Sequence, residues 1–434
     1  MEPITTGLIG VTVMVILLLC GVPVAFSMAF VGYVGLLFLS NFPAANALAA
    51  SIPYDIISDY GFCVLPLFVL MANICFHAKF GQRLFDFMYK SIGHLPGGLA
   101  SASIGSCAVF GAVSASILAT NMTIGLVAIP EMKRYKYDPT LGASSVAAGG
   151  VLGILIPPSA SFIVYGIMTE QSIGELFISG IIPGILLAIM FMIGILFRCK
   201  LNPSLGPAGP KFSIKEKFSS FVECLDIFLL IVLSIGGLMI GIFTPTEAGG
   251  IGSAGAILFA VLRKRLSFKD FIKACEETVI TSSMIYILLI GALIFNAFLT
   301  QSTIPMELAG FVSNLKVRPI LVIFAIILIY LIMGCFIDAM AMLLLTIPAF
   351  FPVIVSLGYD PIWFGVIVTM AMGMAAITPP VGMSVYVIAG IDPDVSMEKL
   401  FRATMPFLLV EIAFTVLIVF FPQIVLWLPR TLIR

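Results

Sequence analysis

The longest polar stretch in this chain is about 25 residues, around 200–224, and nearly everything else falls in apolar runs of helix length. Of its 434 residues, 61% are hydrophobic and only 10% are charged, against the roughly 25% charged of soluble domains. Such a chain is an all-α polytopic membrane protein, and it leaves no room for a soluble catalytic domain. Its net charge of zero says nothing about nucleic acid. The N-terminus, MEPITTG, has no Lys or Arg before the first apolar run. It therefore lacks the cationic leader of a signal peptide and reads as the start of a first span. Eight cysteines are scattered singly with no CxxC, and there are only two histidines, His77 and His94. That pattern speaks against a zinc site or a disulfide framework, and the cysteines read as small buried hydrophobes.

The chain repeats itself at an offset near 222. Tyr137-Asp138-Pro139 recurs as Tyr359-Asp360-Pro361, Pro157-Pro158 as Pro379-Pro380, and Pro23 as Pro245, all at 222. Ile129-Pro130 matches Ile347-Pro348 at 218, and GIMTEQSIGELF (166–177) matches GIDPDVSMEKLF (390–401) at 224. The collinear order of these marks argues for two related halves.

The apolar runs predict spans near 5–20, 23–40, 60–77, 140–168 (broken) and 176–197 in the first half. The second half matches them near 225–242, 246–262, 279–299, 361–390 (broken) and 403–427. Each approaches the ~20 residues a bilayer requires. Two further stretches, 97–130 and 319–356, carry small residues and a polar tip midway, and they read as re-entrant hairpins. Five crossings per half is an odd number, so the second half is expected to be inverted relative to the first. With the N-terminus outside, 18 of the 22 Lys and Arg residues fall in cytoplasmic segments (79–136, 198–217, 263–273 and 399–402). Only Lys316, Arg318, Arg430 and Arg434 fall outside, a distribution that fits the positive-inside rule. An eleventh crossing would move the C-terminal arginines inside. The organisation that follows has scaffold helices at 1–77 and 225–299 and interfacial arms at 78–96 and 300–318. Transport halves occupy 97–199 and 319–434, with a cytoplasmic linker at 200–224 between the repeats. The charged amphipathic stretches 78–92 and 263–277 are expected to lie along the interface and brace the bundle.

The paired prolines, in GILIPPSAS (153–161) and AITPPVGMS (376–384), carry the candidate site. Each proline lacks the N–H of a helix, so the first break frees the carbonyls of Gly153 and Ile154 and the second frees those of Ala375 and Ala376. Unwound carbonyls and half-helix C-terminal ends suit Na⁺, whereas half-helix N-termini favour an anion. A proline kink repaired by neighbouring helices would also account for one such break, but not readily for a matched pair. The first hairpin tip, GAVSASILATN (111–121), offers hydroxyl and amide oxygens, although small tip residues also permit close packing. The second tip, GCFIDAMAM (334–342), contains Asp338, costly in a membrane and functional by default. It is also placed to cap the following helix.

The anion is therefore assigned Ser114, Ser116, Thr120 and Asn121 at the first tip, with Ser159, Gly382 and Ser384 at the half-helix N-termini. Na⁺ is assigned Ser116, Gly153, Ile154 and Pro157 in the first half, and Asp338, Ala375, Ala376 and Thr378 in the second. Glu247, in TPTEAGG, reads as sitting at a helix N-terminus near the outer face. Glu411, in the last apolar run, has no obvious partner, which leaves protonation or a contact with another subunit.

These motifs closely resemble the large membrane subunit of the tripartite ATP-independent periplasmic (TRAP) transporters. The resemblance rests on NMTIGLVAIPEMKRYKYDP, AAGGVLGILIPPS, SIGELFISGIIPG, FTPTEAGGIG, IDAMAMLLLTIP and AAITPPVGM, and so spans essentially the whole chain. It implies an elevator-type fold like that of the ion-transporter superfamily, with hairpins and broken helices moving against a scaffold. It also implies Na⁺-driven uptake of an organic acid anion such as a sialic acid or C4-dicarboxylate, in the bacterial inner membrane. The partners it implies are a periplasmic binding protein and a small four-helix membrane subunit, expected here as a separate polypeptide. The rival carrier is a self-sufficient Na⁺/dicarboxylate or citrate symporter. An intramembrane aspartyl protease would need a second aspartate to pair with Asp338, and none is so placed. A channel fits less well, since no ring-forming filter is evident.

Overall fold

The computed structural model describes residues 2–314 and 317–432. Lys316 and Arg434, two of the charges expected outside the cytoplasmic set, lie outside the described residues. Every regular element described is helical. Among the described residues, seven helices are long and apolar enough to cross a bilayer alone, or eight if the bent pair Ile214–Glu223 and Leu225–Met239 counts as one span. Five shorter apolar helices, among them Pro3–Leu19 and Pro361–Ala376, accompany them.

The paired marks in the sequence recur as paired structure. Asp138 and Asp360 each cap a helix that opens with proline: Asp138 Oδ1 accepts from the Thr140 N–H at 2.8 Å, and Asp360 Oδ1 from the Ile362 N–H at 2.9 Å. The hairpin tips match as well. Ser116 caps Ile117–Arg134 and Asp338 caps Ala339–Ser356, again 222 positions apart. Short polar side chains at these positions satisfy first-turn N–H groups that hydrocarbon leaves without water.

The helices expected to form the scaffold pack by close backbone contact. Val24–Leu39 runs against the long helix Phe268–Gln301. A Cβ on Gly32 would stand 2.7 Å from the Phe295 nitrogen, and one on Gly291 would stand 2.3 Å from the Ala25 carbonyl oxygen. Glycine at both positions is what lets these two helices approach.

Several elements depart from expectation. Phe42–Ser58 is an additional helix between the second and third expected spans, capped by Asn41 and containing Pro53. Residues 263–277 do not form a separate interfacial brace. From Phe268 they are the first turns of a 34-residue helix, about 50 Å long at 1.5 Å per residue and so longer than the hydrocarbon core. Within the arm expected at 300–318, residues Ile304–Asn314 form a separate helix. The expected span at 225–242 contains a π-helical turn at Val232–Gly236. The last expected span, 403–427, is split into Met397–Phe420 and Gln423–Leu432. All eight cysteines are free, but Cys20 and Cys63 are exposed rather than buried.

The first arm, Phe80–Ile92, buries Phe80, Leu84 and Phe85 on one face. Arg83 fastens it to the second half, donating to Asp226 at 2.6 Å and to the Glu223 carbonyl at 2.7 Å. The linker is also tied down: the Tyr137 hydroxyl donates to the Pro207 carbonyl at 2.7 Å, and the Gly97 N–H donates to the Gly206 carbonyl at 2.9 Å. Glu216 forms a capping box with Ser213, whose hydroxyl and N–H hold the Glu216 carboxyl below its ordinary range.

Candidate binding site between two hairpin tips and two helix breaks

Both breaks occur where the prolines require them. The first broken helix runs Pro139–Gly150 and Leu152–Leu155, leaves helical geometry around Pro157-Pro158, and resumes as Ala160–Thr169. The second runs Pro361–Ala376 and resumes as Met383–Ile391. Pro157-Pro158 and Pro379-Pro380 are cis.

The freed carbonyls are partly re-satisfied from within the chain. The Ser159 hydroxyl donates to the Ile154 carbonyl, and the Thr378 N–H donates to the Ala375 carbonyl at 3.2 Å. Ile154 and Ala375 therefore have replacement donors, although a carbonyl oxygen keeps a second lone pair for a cation. Pro157 and Pro380 carry no N–H for Gly153 and Ala376.

The first hairpin tip closes directly over the first break. The Ala160 N–H donates to the Ala115 carbonyl at 3.5 Å. The Ser114 and Thr120 hydroxyls pair at 2.6 Å, and Thr120 also donates to the Ser116 carbonyl at 2.8 Å. A Cβ on Gly153 would lie 2.5 Å from Thr120 Oγ1, so glycine there is what lets tip and break touch.

Between the tips and the breaks lies a cavity of about 320 Å³. Six of the assigned residues line it: Ser114, Ser116, Ile154, Asp338, Ala375 and Ala376. The scaffold contributes Asn73 and Thr281, and Ser161 is a further lining hydroxyl that the motif did not single out. Asp338 is half-buried and accepts from the Met340 N–H at 3.0 Å, so it caps its helix and faces the cavity together. Among the described residues, no Lys, Arg or His lines this cavity. Among the described residues no cluster of three or more His, Cys, Asp or Glu could hold a metal. A cation here would rely on Asp338, hydroxyls and carbonyls, a hard-oxygen set that suits an alkali ion.

The other assigned residues sit behind the wall. Asn121 donates to Ser384 at 2.6 Å, and Ser384 donates to the Ala147 carbonyl, which ties both side chains to the framework. Thr120 and Gly153 are spent on the contact between tip and break. Ser159 caps Ala160–Thr169 and turns back to Ile154, while Pro157 is buried beside it. The Thr378 hydroxyl donates to the Met374 carbonyl at 2.6 Å. Gly382, at φ +41°, caps Met383–Ile391 beside the Phe401 ring.

Two outlying acids are also placed. Glu247 sits in the first turn of Pro245–Leu262, where its carboxylate accepts from the Thr244 N–H at 2.8 Å. Glu411 is fully enclosed by the chain's own helices, beside Gly373, so a contact with another subunit is ruled out for it.

Helical hairpins meeting two interrupted helices at one internal cavity define a secondary-transporter class of membrane protein. The chain belongs to the family described as tripartite ATP-independent periplasmic transporter, DctM component, whose profile matches residues 11–424. It is 33% identical to the sialic acid TRAP transporter large permease protein SiaM of Vibrio cholerae, over 95% of this chain and 96% of that one. It is 34% identical to the C4-dicarboxylate TRAP transporter large permease protein DctM of Pseudomonas aeruginosa, over 87% and 88% of the two chains. In fold it is similar to the YdaH transporter of Alcanivorax borkumensis, with a TM-score of 0.59 at 16% identity over 86% of this chain and 88% of that one. The two TRAP relatives are large permease proteins rather than enzymes, and the chain is a multi-pass protein of the inner membrane.

Proposed function

We propose that this large permease subunit carries an organic acid anion inward, driven by Na⁺, after a periplasmic binding protein delivers the anion. Relatives named for sialic acid and C4-dicarboxylates support the substrate class. The observation that carries the reading is the cavity where both hairpin tips and both breaks meet, with one carboxylate and no basic side chain on its wall among the described residues. An anion there must draw positive charge from half-helix N-termini and from a co-bound cation, while Asp338 and the break carbonyls draw that cation. Anion and Na⁺ each make the site more favourable for the other. In this reading the second half is inverted relative to the first. The hairpins and broken helices move as one body against the scaffold, and a small four-helix membrane subunit braces that scaffold.

Reconstituted vesicles test this. Uptake should require an inward Na⁺ gradient, the small membrane subunit and the loaded binding protein together. Robust Na⁺-driven uptake by this chain alone would favour the self-sufficient symporter. Uptake indifferent to Na⁺ would overturn the cation reading of both breaks.

A further inference from the structure

At the two helix breaks, the two halves of the chain supply different chemistry to the cavity. Ser161 lines it from the first turn of Ala160–Thr169, and the residue 222 positions on, Met383, lines it from the start of Met383–Ile391. The first half adds Ser114 and Ser116, whereas the second adds Met340 and Met372.

Ser161 is fully buried, and its hydroxyl has no hydrogen-bond partner among the described residues. A buried hydroxyl is costly unless something bonds it, so an orphan on a cavity wall points to a ligand. Its surroundings say which kind. The Ala160 N–H is taken by the Ala115 carbonyl, the Phe162 N–H by the Ser159 hydroxyl at 3.4 Å, and the Ile163 N–H by the Ser159 carbonyl at 3.1 Å. The Ser161 N–H remains in the first turn with its own hydroxyl, at the positive end of a ten-residue helix. That is a pair of donors matched to the two oxygens of one carboxylate.

We propose that Ser161 is the cavity's one carboxylate anchor, so that this permease takes monoanionic organic acids with a neutral or apolar body and discriminates against dicarboxylates. The inference rests on reading the cavity as the transported anion's site. The opposing half-helix carries no matching anchor: Met383 begins it behind a glycine cap rather than a hydroxyl, and the other polar lining residues, Asn73 and Thr281, sit in helix interiors with no N-terminus behind them. The one charged lining residue among those described, Asp338, is itself negative. Thioether side chains adapt to an apolar body and offer no anion a donor. A volume of about 320 Å³ sits at the small end of ligand pockets.

The test measures binding to the full-length chain in lipid nanodiscs, with 4-methyl-2-oxopentanoate as the monoanion and succinate as the dianion, in Na⁺ and again in K⁺. In Na⁺ the monoanion should bind at least tenfold more tightly than succinate. Ser161→Ala should weaken the monoanion roughly ten- to a hundredfold, the loss expected for a hydrogen bond to a charged group. Ser161→Thr, which keeps the hydroxyl, should retain most of the affinity, and all three proteins should melt alike without ligand. Succinate binding as tightly as the monoanion, or Ser161→Ala binding like the parent, would overturn the single anchor. If succinate wins and needs Na⁺, the permease reading survives and only the anchor falls. If neither acid binds at millimolar concentration, the reading of this cavity as the anion's site falls with the anchor.

Discussion

Asn121 Nδ2 donates to the Ser384 hydroxyl at 2.6 Å, and that hydroxyl donates to the Ala147 carbonyl at 2.5 Å. One short chain of hydrogen bonds thus ties the first hairpin to the second broken helix and to the first. Both side chains are fully buried, so neither has water to fall back on. Asn121→Ala should lower stability by about 1–3 kcal/mol, the range for stranding a buried partner. Thermal melting of the purified chain would register this. Ser384→Ala should cost a similar amount, and the double variant should cost less than the sum because one network is lost once.

Arg83 and Asp226 form a second link, at 2.6 Å, between the first arm and the second-half scaffold, and they are 7% and 3% exposed. Removing one member of such a pair strands a buried charge. Arg83→Met should destabilise by about 3–5 kcal/mol, softened by Arg263 at 3.7 Å from the same carboxylate. Arg83→Met with Asp226→Leu should recover much of the loss, since an apolar pair of similar volume often replaces a buried ion pair at little cost. If melting of the double variant is as poor as that of the single, the link depends on shape rather than charge.

Asp338 holds two roles that substitution can separate. Asparagine caps a helix about as well as aspartate, whereas alanine loses about 1 kcal/mol of cap. Asp338→Asn should therefore melt like the parent yet lose Na⁺-dependent uptake. Asp338→Ala should lose uptake while folding with a slightly lower melting temperature. Normal uptake by either variant at limiting Na⁺ would leave Asp338 a cap alone.

Inversion of the halves predicts that Lys136 and Ser356, which follow matching hairpins, face opposite sides of the membrane. Single cysteines at the two positions should label from opposite faces in oriented vesicles. Labelling of both from one face would remove the inverted arrangement.

Much of the site's framework was legible because proline and aspartate act locally. Pro157-Pro158 and Pro379-Pro380 break any helix they enter, and Asp338 caps the helix that follows it. What stayed hidden depends on three-dimensional contact. Ser161 is one hydroxyl in an apolar run until the side facing the cavity is known. Asn121 and Ser384 are 263 positions apart, so nothing local pairs them. The carbonyls of Ile154 and Ala375 were expected to be free because their helical donors are missing, but loops at the breaks fold back with new ones. The helix Phe42–Ser58 escaped because Pro43, Pro53 and its polar residues interrupt any long apolar run. The reach of Phe268–Gln301 escaped because its first turns are charged where it extends beyond the hydrocarbon.

The account stands on Na⁺ and the anion favouring one another in one cavity, and equilibrium binding measures that directly. In nanodiscs, affinity for the organic acid should rise about 5- to 150-fold between Na⁺-free and saturating Na⁺, and saturating acid should raise Na⁺ affinity by the same factor. Ser116→Ala and Thr378→Ala should shrink that factor, each by less than Asp338→Ala does, because a neutral oxygen holds a cation less strongly than a carboxylate. An acid affinity that does not change across the Na⁺ titration would contradict the account.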